Sequence, residues 1–257
     1  MDNLDLHVTD TGTGTPILWI HGYPLSSAVF APQLAIAGAR HIMPDLPGFG
    51  RSTPPTDEMS IEDYAILCKR LLDHLHVTQA VVAGFSMGGY IALALARLAP
   101  ESVRALILID TRETADSDEA RKGRYETIEK VENQGTKAVV ETMLPKMLSK
   151  GAPSSLVHEV RAIMDASSAE GVVAALQAMA ERSDSTSLLP ELRMPVLIVV
   201  GENDTITPPA DAERVAKAIA GAKLVTIPNA AHLSNFERPE EFNAAVEEFL
   251  RTSGSGR

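Results

Sequence analysis

Three residues far apart in the chain have the types and settings of an acyl-transfer site. Ser86 lies in Gly84-Phe-Ser-Met-Gly88, between an apolar run at 80–84 and an Ala-rich helical stretch. A serine flanked by glycines two residues before and after, on a strand-to-helix turn, is a nucleophile elbow. The small residues let the turn be sharp, and the hydroxyl is lifted to the positive end of a helix. A serine hydroxyl is a poor nucleophile near neutral pH, so it needs a base within hydrogen-bond reach and a third group to orient that base.

His232, in the small-residue loop Asn229-Ala-Ala-His232 past a late strand, is the candidate base. Of the seven histidines, His74 and His76 fall at a helix end, His158 in a helical segment, and His7 and His41 on strands. His21 reads as a side chain that braces its own loop. Asp204, in Gly201-Glu-Asn-Asp-Thr-Ile-Thr-Pro, is the candidate orienting acid. The bland alternative for it is a turn-forming aspartate. Asp110, past another strand, is a rival acid, but the strand before Asp204 and the Gly201-x-x-Asp spacing bring Asp204 nearer the histidine loop. The chain order Ser86, Asp204, His232 is the one this type of site uses.

Acyl transfer also needs backbone N–H donors for the developing oxyanion. Met87, immediately after the nucleophile, supplies one. The loop after Trp19-Ile20 reads His21-Gly-Tyr-Pro24, where Gly22 lets the backbone turn inward and Pro24 stiffens it, so the Tyr23 N–H is the expected second donor. Asp45 and Arg51, in Asp45-Leu-Pro-Gly-Phe-Gly-Arg-Ser52, are expected to brace that loop rather than take part in chemistry.

These residues need a frame of parallel strands. Short apolar runs are predicted as strands at 4–9, 16–20, 41–43, 80–84, 105–109, 195–201 and 223–227. Most are continuously apolar at their centres, as in a sheet covered on both faces. Helices are predicted at 61–76, 88–99, 210–219 and 239–250, the last two starting near proline. The alternation is that of strands joined by crossover helices.

One segment breaks the rhythm. From 111 to 189 the pattern is helical and charged, with turn signals at Gly135, Gly151-Ala-Pro153 and Gly171, and it is expected to be an inserted helical cap. Residues 1–110 and 190–257 then form the core. Methionines 143, 147, 164 and 179 fall in the insertion, where core filling is the ordinary role and a pliable pocket roof the functional one. Residues 252–257 read as a frayed tail.

Composition limits the partners. With 257 residues, 45% hydrophobic and 22% charged, the chain can bury a large core. Its 23 Lys and Arg against 34 Asp and Glu leave a net charge of −11, which phosphate backbones and anionic lipid heads repel. Nucleic acid and membrane partners are therefore not expected. The single Cys68 permits no intrachain disulfide and reads as a buried thiol on a helix face. The acidic N-terminus shows no signal-peptide pattern, and no apolar run approaches the roughly 18–20 residues that span a bilayer. A cytoplasmic location is the expectation. No His/Cys/Asp cluster has ligand spacing and no G-x-G-x-x-G follows a strand, so neither metal nor organic cofactor is expected.

Together, His21-Gly-Tyr-Pro, Asp45-Leu-Pro-Gly-Phe-Gly-Arg-Ser, Gly84-Phe-Ser-Met-Gly-Gly, Gly201-Glu-Asn-Asp-Thr-Ile-Thr-Pro and Ala231-His232 resemble the α/β-hydrolase superfamily over nearly the whole chain outside the insertion. The branch most similar holds small carboxylesterases, 3-oxoadipate enol-lactonase-like enzymes and cofactor-free haloperoxidase or perhydrolase relatives. The resemblance implies an α/β-hydrolase fold, with a mostly parallel sheet flanked by helices and an inserted cap. It assigns Ser86 as nucleophile, His232 as base, Asp204 as acid, and Tyr23 and Met87 as oxyanion donors. Dehalogenases and epoxide hydrolases of this fold carry Asp at the elbow, which Ser86 argues against, and no lysine suits a hydroxynitrile lyase.

The expected activity is hydrolysis of carboxylic esters with short to medium acyl chains through an acyl-enzyme. Lactone hydrolysis and C–C bond hydrolysis use the same residues. A non-catalytic binder is the alternative of another class. A carboxylate-bearing lactone would want a fixed cation near Ser86, for which Arg112, Arg121 and Arg124 are candidates and solvated charges the plainer reading.

Overall fold

The computed structural model describes residues 6–254. Those residues form a seven-stranded sheet of order β1-β3-β2-β4-β5-β6-β7. The strands are β1 (Val8–Gly12), β2 (Thr15–Ile20), β3 (Ala39–Pro44), β4 (Ala80–Phe85), β5 (Val103–Ile109), β6 (Val196–Gly201) and β7 (Lys223–Ile227). Every neighbouring pair is parallel except the edge pair β1 and β3, which runs antiparallel.

Of the three strands whose ends carry Ser86, Asp204 and His232, β4 and β6 are apolar, whereas the edge strand β7 is mostly exposed. β4 and β6 are buried along their whole length because helices cover both faces of the sheet. One layer of core, around Leu18, Val82, Leu106 and Ile198, lies under α1 (Ile61–His74), α2 (Met87–Leu98) and α7 (Pro209–Ala218). The other, around Trp19, Phe85, Ile107 and Val199, lies under α9 (Pro239–Gly254). Fully burying each such aliphatic side chain contributes about 1.5–3 kcal/mol. Side chains with no polar demands on either face are what lets the strand ends be held rigidly.

Local signals place the helices. α1 starts in a capping box in which the Ser60 hydroxyl accepts the Asp63 N–H and the Asp63 carboxylate accepts the Ser60 N–H. Pro209 and Pro239 stand at the first positions of α7 and α9. Cys68 is buried on α1, and burial pushes its thiol up to about 12.

Between β5 and β6 the chain runs through α3 (Asp118–Gln134), α4 (Lys137–Met147), α5 (Ser154–Asp165) and α6 (Ala169–Ala180) without adding a strand. Met147, Met164 and Met179 are buried in the core, and Met143 packs against it. This insertion touches three loops at the C-terminal end of the sheet. Ser167 Oγ donates to Pro24 O at 3.2 Å, Ser168 donates its N–H and hydroxyl to Gly48 O at 2.9 Å each, and Leu233 N–H donates to Met147 O at 2.8 Å.

The first strand differs from expectation. It begins at Val8 and runs to Gly12, rather than spanning 4–9, and Leu4 and Asp5 lie outside the described residues. Its register is set by pairing with β3, Val8 opposite Pro44 and Gly12 opposite Arg40. An edge strand buries little, so side-chain pattern alone marks its ends poorly. The C-terminal helix also continues to Gly254, through residues read as the start of a frayed tail. Among the described residues no helix is long and apolar enough to cross a membrane.

Candidate active site

The sharp turn at Ser86 is built by close backbone approach. A Cβ on Gly84 would stand 2.2 Å from Gly88 O, and one on Gly88 would stand 2.0 Å from Ile20 O, so only glycine fits either position. Between them Ser86 has φ +51° and ψ −114°, a conformation that L-residues rarely adopt, and it is the residue that caps α2. Its strain is held from the next strand: Ser86 N–H donates to Ile109 O at 2.9 Å, and Thr111 Oγ1 donates to Ser86 O at 2.8 Å.

Ser86, His232 and Asp204 come together. Their loops follow β4, β7 and β6, all at the same end of the sheet. Ser86 Oγ is 2.9 Å from His232 Nε2, and His232 Nδ1 is 2.8 Å from Asp204 Oδ2. An ionised carboxylate has no proton to donate, so Nδ1 carries the hydrogen and Nε2 is left as acceptor toward Ser86. The imidazole is 1% exposed, packed at 5.0 Å between centroids against Phe85, while Ser86 is only half-buried.

Asp204 is both a turn residue and a partner of the imidazole, one role for each oxygen. Oδ1 accepts the N–H groups of Ile206 (2.8 Å) and Thr207 (3.1 Å), while Oδ2 accepts His232 Nδ1–H and Thr207 Oγ1–H. Burial opposes the charge, but His232 and the Thr207 donors outweigh it and hold the carboxyl below its ordinary range. Thr207 was not singled out from the sequence. The signal for it is the Asp-x-x-Thr spacing, which lets one side chain serve its own turn.

Asp110 does not contact His232 in the hydrogen-bond pattern, which gives the Nδ1 partner as Asp204. Its carboxyl instead receives Gly201 N–H at 2.7 Å on Oδ1 and bonds Ser234 Oγ through Oδ2.

The loop after β2 lies against Ser86. A Cβ on Gly22 would come within 2.7 Å of the Phe85 ring and 2.9 Å of Ser86 Cβ. Tyr23 follows directly, and Met87, in the first turn of α2, has no intrahelical acceptor for its N–H. His21 braces this loop as expected: Nδ1–H donates to Gly22 O and Nε2 accepts Leu46 N–H, both at 2.9 Å, and burial pushes its ionisation down. Asp45 is likewise a brace, accepting Ser27 N–H (2.8 Å) and Arg51 N–H (2.9 Å).

The three arginines weighed as anion holders are engaged elsewhere. Arg112 donates to Ile206 O and lies 3.3 Å from Asp211, Arg121 pairs with Glu181, and Arg124 pairs with Asp116. Arg112 thus steadies the turn that carries Asp204. A further brace on the His232 loop is Glu237, whose carboxylate accepts Ala231 N–H (2.9 Å) and Ser149 N–H (3.1 Å). Its partners lie 6 and 88 residues away, and the second of these has no local sequence signal.

The fold and this arrangement define a class, and comparison with known proteins agrees. A model of the alpha/beta hydrolase family matches residues 17–245, and the chain belongs to that family. It is 30% identical over 210 residues to 3-oxoadipate enol-lactonase 2 of Acinetobacter baylyi, covering 80% of this chain and 77% of that protein. It is 31% identical over 252 residues to the dihydrolipoyllysine-residue acetyltransferase component of the acetoin cleaving system of Pseudomonas putida; the match covers 93% of this chain but only 64% of that longer protein. Among solved structures, a thermophilic esterase from Thermogutta terrifontis with malate bound superposes with a TM-score of 0.94 at 38% identity, covering 96% of this chain and 93% of that one.

Proposed function

We propose that the protein hydrolyses carboxylic esters of small molecules, with short to medium acyl chains, through an acyl-enzyme on Ser86. The observation that carries this reading is the 2.9 Å approach of His232 Nε2 to Ser86 Oγ. His232 accepts the Ser86 proton as Oγ attacks the ester carbonyl, and the imidazolium so formed faces Asp204 at 2.8 Å. The Tyr23 and Met87 N–H groups receive the oxyanion, with the positive end of α2 adding to the field. Collapse passes the proton from His232 to the leaving alcohol, and water activated by the same imidazole then releases the acid.

The insertion, which bonds the loops after β2 and β3 through Ser167 and Ser168, acts as a cap, and its Ala, Leu, Val and Met side chains would wall a modest apolar acyl pocket. Similarity to a solved esterase at 38% identity supports ester cleavage. The enol-lactonase relative favours lactone opening as the second reading, since a ring ester presents the same carbonyl to the same residues.

Hydrolysis of p-nitrophenyl acetate and butyrate, measured for the wild-type chain and for Ser86→Ala, tests the reading. Wild-type turnover that disappears in Ser86→Ala is the expected result. Equal background rates for the two proteins would leave a ligand binder as the better description. Esters of graded acyl length and simple and carboxylated lactones then separate the two substrate classes.

A further inference from the structure

The tripeptide Ile109-Asp110-Thr111, at the end of β5, touches all three segments of the site. Ile109 O accepts Ser86 N–H at 2.9 Å and Thr111 Oγ1 donates to Ser86 O at 2.8 Å, so the nucleophile's backbone is gripped from both sides. Asp110 N–H donates to Val199 O at 2.9 Å, and its Oδ1 accepts Gly201 N–H at 2.7 Å, three residues before Asp204. Its Oδ2 shares a hydrogen bond with Ser234 Oγ, two residues after His232. The sheet order explains the reach, because β5 lies between β4, which carries Ser86, and β6, which carries Asp204.

Asp110 is 0% exposed and has φ +43°, a left-handed conformation that a non-glycine residue keeps only when its surroundings hold it there. The mechanism above uses its carboxyl for nothing. A buried carboxyl with no chemical step to perform needs another reason for its cost.

We propose that Asp110 is a positioning residue that joins the acid loop to the base loop through Gly201 N–H and Ser234 Oγ, and so sets the approach of His232 to Asp204 and Ser86. This inference rests on the serine-hydrolase reading. Burial, and then the Asp204 carboxylate beside it, push the Asp110 carboxyl well above the ordinary range, against the donors from Ser234 and Gly201. The charged group it faces is the Asp204 carboxylate. The uncharged acid can hold both loops without setting a second anion against Asp204. An asparagine presents the same shape, with Oδ1 for Gly201 N–H and Nδ2–H for Ser234 Oγ.

The test compares wild type, Asp110→Ala, Asp110→Asn and Ser234→Ala in steady-state hydrolysis of p-nitrophenyl butyrate across pH. Asp110→Ala and Ser234→Ala are expected to lower kcat by about 10- to 100-fold with KM little changed, as small misplacements of reacting groups do. Asp110→Asn is expected to recover most of the lost kcat and to leave the acid limb of kcat/KM against pH where it stands in wild type. Four results would overturn the inference: unchanged kcat in Ser234→Ala, unchanged kcat in Asp110→Ala, no recovery in Asp110→Asn, or a displaced acid limb in that variant. Ser234→Ala keeps the test open if Asp110→Ala does not fold. A wild-type chain that turns over no ester at all defeats the hydrolase reading, an outcome separate from these four.

Discussion

Thr207 Oγ1 lies 2.5 Å from Asp204 Oδ2, the oxygen that also receives His232 Nδ1–H. The hydroxyl has no better acceptor in reach, since the imidazole nitrogen at 3.3 Å already carries a hydrogen toward Asp204. Thr207 therefore stabilises the charged carboxylate and contributes to its lowered ionisation. For an acid held below its ordinary value, that stability is present above the unfolded-state pKa and is lost as pH falls through the folded one. Thr207→Val should cost about 1–2 kcal/mol at pH 7 and less near pH 3. Urea unfolding of both proteins at the two pH values measures it, and an equal loss at both would show that Thr207 acts by packing alone.

Asp204→Asn keeps shape but can donate to Nδ1, which favours the tautomer with hydrogen on Nε2 facing Ser86. The base is then unable to accept the serine proton. By comparison with such substitutions in serine hydrolases, kcat should fall by roughly 10³- to 10⁴-fold while the fold is kept. Retention of more than a tenth of wild-type kcat would mean that another group orients His232.

Much of the frame was legible because strands buried on both faces must be apolar throughout. The central strands β4, β5 and β6 matched expectation within two residues at each end. The edge strand β1 did not: it is half-buried at Val8 and Thr9 and exposed from Asp10 to Gly12, so its side chains carry little periodic constraint, and its register comes from β3. The 3-10 helix Ser27–Ala35 contains Pro32, and α8 (Ser234–Glu237) is a single turn, so neither has the length to show a helical period. That Ser86, Asp204 and His232 come together was legible because each sits in a local turn motif. Asp110 and Glu237 were not assigned their contacts, because these join residues 91 and 88 positions apart that only the sheet order brings together.

Gly22 has no room for a side chain. An added methyl would meet the Phe85 ring at 2.7 Å and Ser86 Cβ at 2.9 Å, and Phe85 is itself packed against the His232 ring. The loop bearing Tyr23 would have to retreat from Ser86. Gly22→Ala should lower kcat by about 100-fold, in the range of losing one oxyanion donor, while thermal unfolding stays cooperative. Wild-type kcat in this variant would remove the Tyr23 N–H from the proposed mechanism.

Glu237 ties the insertion to the His232 loop. Its carboxylate takes Ser149 N–H and Ala231 N–H, and on the other side of His232 the Leu233 N–H goes to Met147 O. Glu237→Ala leaves the buried Ala231 amide without that acceptor, at a cost of about 1–3 kcal/mol. Because Ser149 Oγ bonds the same carboxylate, Ser149→Ala and Glu237→Ala should be non-additive when combined. Unfolding free energies of the two single variants and the double variant measure this, and strict additivity would show that the two residues act independently.

Asp110 should also set the slope of stability with pH. A carboxyl whose folded-state pKa is raised binds its proton more tightly in the native chain than in the unfolded one, whose value is near 3.8. Its contribution is full below that value and is lost as pH rises through the folded pKa, the opposite sign to Asp204. Asparagine carries no such proton, so Asp110→Asn should gain on wild type steadily as pH rises from 4 toward 8, while Asp204, present in both chains, largely cancels from the difference. Urea midpoints at pH 4, 6 and 8 read this directly. A constant difference would place the Asp110 carboxyl at its ordinary value, and a difference moving the other way would make it a stabilised anion.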